Sequence, residues 1–158
     1  MNTSTISRIL SSDDSLAPLA LRIAAGVIFA AHGAQKLFGW FGGYGLEGTG
    51  QWMASIGLEP GYFMALAAGS AEFFGGLLLI AGLLTRPAAV VLAITMVVAI
   101  VTVHLQNGLF MSNNGYEFGL SLLAISISLA VSGAGRFALD NALAHRVSQT
   151  AAPAAAVA

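Results

Sequence analysis

Apolar runs long enough to cross a bilayer constrain this chain more than any other feature. Residues 16–38, 61–84, 88–105 and 116–132 each read as a helical span, because about 20 apolar residues cross roughly 30 Å of hydrocarbon. Start and stop signals frame them. Asp13, Asp14 and Ser15 precede the first run and Pro18 falls in its opening turn, where proline is tolerated. Pro60 opens the second; Thr85, Arg86 and Pro87 precede the third; Gly133 and Gly135 break the fourth. A barrel would need alternating apolar and polar positions, which these unbroken runs lack. Helices are what remains for a backbone that must satisfy itself in lipid. The expected fold is all-α, a four-transmembrane-helix bundle over 16–135, with a short polar arm at 1–15 and a tail at 136–158.

Composition agrees. The 158 residues are 57% hydrophobic and 8% charged, where soluble domains carry about a quarter charged residues. With a net charge of −1 and no basic stripe, nucleic acid is not an expected partner; the lipid bilayer is. Cysteine is absent, which removes disulfides, thiolate metal sites and thiol chemistry of the chain's own. The run from Leu16 is too long for a signal-peptide core and only Arg8 lies before it, so the first helix is expected to stay in the mature protein.

The basic residues set an orientation. Arg8, Arg22, Arg86, Arg136 and Arg146 fall on one side of a four-span map and Lys36 on the other. By the cytoplasmic bias of basic residues, both termini are expected in the cytoplasm of a bacterial inner-membrane protein, with the first and third loops outside. Trp40, Phe41, Tyr44 and Trp52 then form an outer aromatic belt. In the tail, Phe137, Leu139, Leu143 and Val147 suggest a short interfacial helix. The low-complexity end from Ser148 is expected to be disordered.

Ionisable residues inside this apolar frame are the candidate chemistry. His32, Gln35 and Lys36 stand at i, i+3 and i+4, on one face of the first helix. Glu72 is the single charge inside the second span, with Ala68, Gly69, Gly75 and Gly76 on its helix face, the composition of a packed interface. A carboxylate at that depth needs a proton or a mate, with His32, Lys36 or a water as candidates. Two readings stand side by side: an acid that handles protons or a ligand, and a neutral acid that only fixes packing. His104 ends the third span and Glu117 begins the fourth, where Glu117, Ser121, Ala124, Ser128 and Ser132 make a small, polar stripe.

Other signals are weaker. His32 and His104 would be axial haem ligands, or a metal set together with Glu72 and Glu117, but no two histidines stand at i, i+4 on one helix, so no metal is expected. Met53, Met64 and Met111 suit soft Cu(I) and suit gap-filling better. Residues 43–48, GYGLEG, match the dinucleotide pattern without a βαβ context, and read as an interfacial loop.

The segments HGAQKLFGWFGGYG (32–45), GTGQWMASIGL (48–58), EFFGGLLLIAGLLTRPAA (72–89), HLQNGLF (104–110) and GYEFGLSLL (115–123) resemble the DoxX family of small bacterial membrane proteins. The resemblance covers about residues 18–135. It implies a four-helix topology and association with quinol-oxidising membrane systems, hence a redox partner protein and a quinone or other small-molecule ligand. Members that serve thiol pathways carry cysteines, and this chain has none. The leading expectation is an outer-half polar pocket in which Glu72, His32 and His104 act catalytically and Lys36, Gln35, Glu117 and Trp40 bind the ligand. The competing expectation is a non-catalytic membrane assembly or interaction module. Small-residue helix faces also favour a homo-oligomer.

Overall fold

The structure is a computed structural model that describes residues 15–150. The arm expected over 1–15, except Ser15, and the end of the tail beyond Thr150 lie outside the described residues. Those described are helical, with no strand. α1 (Ala17–Phe38) is followed by a 3₁₀ turn (Trp40–Gly42), then α2 (Gly45–Ser55), α3 (Gly61–Ala81) and α4 (Thr85–Ala99). A π turn (Ile100–His104) and a 3₁₀ turn (Leu105–Asn107) carry α4 onward, so that Thr85–Asn107 is one apolar rod of 23 residues. A 3₁₀ turn (Met111–Asn113), α5 (Glu117–Ser132) and α6 (Leu139–Thr150) complete the chain.

Three of these rods, α1, α3 and extended α4, are long and apolar enough to cross a membrane. α5 is apolar but has 16 residues, about 24 Å at 1.5 Å per residue. The third expected span begins earlier than the sequence suggested, at Thr85, because Pro87 falls in the helix's first turn, where its missing N–H costs nothing.

Glycine sets the closest helix pair. Gly26 and Gly33 of α1 lie against α3 so tightly that a β-carbon at Gly26 would come within 2.8 Å of the Gly76 carbonyl, and one at Gly33 would strike the Phe73 backbone. From α3, a β-carbon at Gly76 would meet the Ala30 amide at 2.5 Å. α3 then packs on α4, where Gly75 receives Leu92, and α4 packs on α5. Ala25, Phe29, Leu79, Ala89, Leu92 and Leu129 are the fully buried centre. The outward faces carry Val27, Phe74, Val90, Ile94, Val98 and Ile127, all exposed, as lipid-facing surfaces require.

The end of the bundle where the termini emerge, here the proximal end, is closed by polar side chains that meet helix ends. Arg22, 1% exposed, donates Nε to the Ala134 carbonyl (3.0 Å), Nη1 to Leu79 (3.2 Å) and Ile80 (2.6 Å), and Nη2 to Arg136 (3.2 Å) and Phe137 (2.7 Å). It thereby satisfies the Ile80 carbonyl, one of the acceptors a helix end leaves over, and adds a second bond to Leu79, which also accepts from the Gly82 amide. Asp140, equally buried, accepts from the Leu84 and Thr85 amides at 2.7 and 2.9 Å and so caps α4. Arg86 donates to the Ala130, Val131 and Ser132 carbonyls and closes α5.

Of the interfacial loop expected at 43–48, Gly43 and Tyr44 lie outside any helix, but the rest is helical, because α2 begins at Gly45. Gly45, Gly48 and Gly50 give α2 poor intrinsic propensity, but Thr49, Gly50 and Met53 are buried, and Gly50 rests on the Tyr62 backbone of α3. Tertiary packing outweighs propensity here. The helix expected after residue 137 is present as α6, with Leu139 and Leu143 exposed one turn apart.

Candidate functional site

Near the opposite, distal end, α1 and α3 bring two charges together inside an apolar frame. Glu72 lies on α3 between Gly69 and Gly76, both of which α1 approaches closely, while its neighbour Gly75 receives Leu92 of α4. Lys36 is in the last turn of α1. Its Nζ donates to Glu72 Oε2 at 2.6 Å, with the glutamate side chain 5% exposed and the lysine side chain 23%. Of the mates open to Glu72 from sequence, the lysine is the one in contact. The carboxylate is sealed in, while the ammonium remains partly exposed. Lysine carries three N–H donors, and one is spent on Glu72.

The other candidate residues make contacts of their own. His32, one turn below Lys36, is exposed, with its ring 6.2 Å from that of Phe118 on α5. Gln35 donates Nε2 to the Phe41 carbonyl at 3.3 Å and holds the turn that leaves α1. Trp40 is exposed and stacks on Phe38, ring centres 5.1 Å apart. His104 Nδ1 donates to the Asn114 carbonyl at 2.9 Å, which leaves Nε2 as the acceptor in the neutral ring. Glu117 Oε1 accepts from the Met111 amide at 2.6 Å. His104 and Glu117 thus brace the 105–116 loop, and no described contact joins either to Glu72. Among the described residues, no three His, Asp or Glu side chains are grouped closely enough to hold a metal.

An apolar groove of about 360 Å³ runs along the α4–α5 seam, lined by residues such as Val90, Ile94, Val97, Leu123 and Ile127. No polar atom contributes to its walls. It belongs to the lipid-facing surface and not to the Lys36–Glu72 region.

Arg22 and Asp140 are the polar residues that sequence reasoning passed over. Arg22 entered the argument only as a charge that sets orientation, although an arginine within an apolar run already signals a need for acceptors. Asp140 has no local signal, because the amides it caps are about 55 residues earlier.

Comparison with known proteins agrees with this architecture. The DoxX family model matches residues 17–105, which cover α1 to extended α4, and the model described as "TQO small subunit DoxD" matches residues 62–156. A Bacillus subtilis protein named "Putative oxidoreductase CatD" is 43% identical over 122 residues, 77% of this chain and 83% of that one. An uncharacterized membrane protein of Mycobacterium tuberculosis is 35% identical over 150 residues, 88% of each chain. A Haemophilus influenzae protein is 35% identical over 128 residues, 77% of this chain and 86% of its own. No solved structure matches the chain significantly. With a family model over more than half its length and relatives aligned along most of theirs, the chain belongs to the DoxX family of membrane proteins.

Proposed function

We propose that the chain is a four-span inner-membrane protein with cytoplasmic termini that serves a redox system by binding a quinone-class molecule at the Lys36–Glu72 pair. The 2.6 Å pair carries this reading. Desolvation cancels much of the attraction in a buried ion pair, so packing alone gives little reason to place one between two glycine-lined helices. As a working site it has a clear use. Lys36 donates a hydrogen bond to a quinol oxygen; as two electrons leave for a redox partner protein, Glu72 accepts one of the two protons released and the other passes to water at the distal mouth. The "Putative oxidoreductase CatD" and "TQO small subunit DoxD" names support an oxidoreductase setting and a protein partner. Arg22 and Arg86 are committed to backbone carbonyls, so the orientation leans on Arg136 and Arg146 at the proximal end.

The test is an equilibrium titration of purified protein with ubiquinol and menaquinol analogues. Saturable binding that weakens in Glu72→Gln is expected; no saturable binding by the wild type removes the reading. One observation favours a second reading, a non-catalytic interaction module: Trp40, Phe41, Tyr44 and Trp52 are all exposed at the distal end. It predicts that a photoreactive residue in place of Trp52 captures one defined protein, and that Glu72→Gln alters stability alone.

A further inference from the structure

We infer that the distal half of the bundle opens sideways between α1 and α5, and that His32 and Phe118 form the rim through which a planar, oxygen-bearing ring on an apolar tail passes from the bilayer towards Lys36 and Glu72. The inference rests on the binding reading above and adds the route and the residues that recognise the ring. On α1, Leu21, Ala25, Ile28 and His32 follow one another at spacings of four, three and four, a single stripe. Ala25 is fully buried and Leu21 and Ile28 pack on the core, yet His32 on the same stripe is exposed. On α5, Leu129, Ile125, Leu122 and Phe118 form the matching stripe; Leu129 and Leu122 are buried and Phe118 is half-buried. Two stripes that meet in the core therefore reach the surface at the level of His32 and Phe118, where the two rings, 6.2 Å apart, are what closes the seam. The exposure of His32 is that of an opening and not of a lipid-facing position, since the outward-facing Val27 lies about 140° round the helix. α5 also touches α1 more lightly than the other neighbouring spans touch each other.

The chemistry of the rim selects the ligand class. Phe118 offers a ring face and His32 stands tilted beside it at 46°. Among the described residues, neither nitrogen of His32 has a hydrogen-bond partner, an unmet polar group that a ligand oxygen would satisfy. Lys36 follows one turn outward and links the rim to the buried carboxylate. The α4–α5 groove lacks such a donor: its walls are wholly apolar and hold a tail but not a polar ring.

The test is photolabelling of the full-length protein in lipid nanodiscs with an azido-benzoquinone bearing a prenyl tail, read by peptide mapping and paired with binding titrations. Label is expected on the end of α1 and the start of α5, and to be displaced by unlabelled quinone. His32→Leu and Phe118→Ala should each weaken binding by about tenfold, roughly 1.4 kcal/mol. Phe118→Tyr, which keeps the ring face, should restore it and so separates recognition from misfolding. Label confined to the α4–α5 groove, or affinity unchanged in both variants while Glu72→Gln still weakens binding, overturns the side opening and leaves the proposed function standing. No saturable labelling of the wild type overturns both.

Discussion

Glu72 and Arg22 are both buried charged side chains of the spanning helices, and they are satisfied in opposite ways. Glu72 has one mate, Lys36, whereas Arg22 spreads five hydrogen bonds over backbone carbonyls from two segments. Removing one member of a buried pair strands the other, so Lys36→Met should lower unfolding stability in detergent by about 3–5 kcal/mol. Adding Glu72→Gln to that variant should recover most of the loss; a double variant as unstable as the single one would show that the two do not couple. For Arg22→Lys, a side chain with three donors cannot serve five acceptors. Each orphaned carbonyl costs roughly 1–3 kcal/mol, and the thermal midpoint should fall well below that of Arg146→Lys at the bundle's edge. Sequence reading picked out Glu72 as a buried acid but could not choose among His32, Lys36 and water, because the choice depends on the register of α1 against α3. That register is set by glycine contacts between residues some 40 positions apart.

The helices themselves show where sequence patterns suffice and where they fail. Long apolar runs with proline and glycine punctuation located α1, α3, α4 and α5 to within a few residues. α2 escaped because its glycines read as a loop, while the burial of Thr49, Gly50 and Met53 that makes it a helix is tertiary. Gly33→Leu tests the α1–α3 contact: its side chain meets the Phe73 backbone, and overpacking of about 1–3 kcal/mol should separate the helices and disrupt the Lys36–Glu72 pair. The checks are thermal unfolding and loss of quinone-analogue binding. Asp140→Ala removes the cap that joins α6 to α4; a cost of about 1 kcal/mol is expected, along with faster proteolysis before Leu139.

For the molecule as a whole, the absence of cysteine makes orientation directly measurable. Single cysteines at Ser55 and Asn113, both exposed at the distal end, should react with a membrane-impermeant maleimide in intact spheroplasts. Ala142→Cys at the proximal end should react only after permeabilisation, and the reverse pattern would invert the proposed topology. The guanidinium knot also bears on the order in which the protein is made. Arg22 in α1 leaves the ribosome 112 to 115 residues ahead of its acceptors at Ala134, Arg136 and Phe137. During translation, then, α1 carries a positive charge three of whose five acceptors do not yet exist when α3 is complete. Nascent chains stopped before residue 134 should be cleared by membrane proteases, whereas those released after α6 should accumulate.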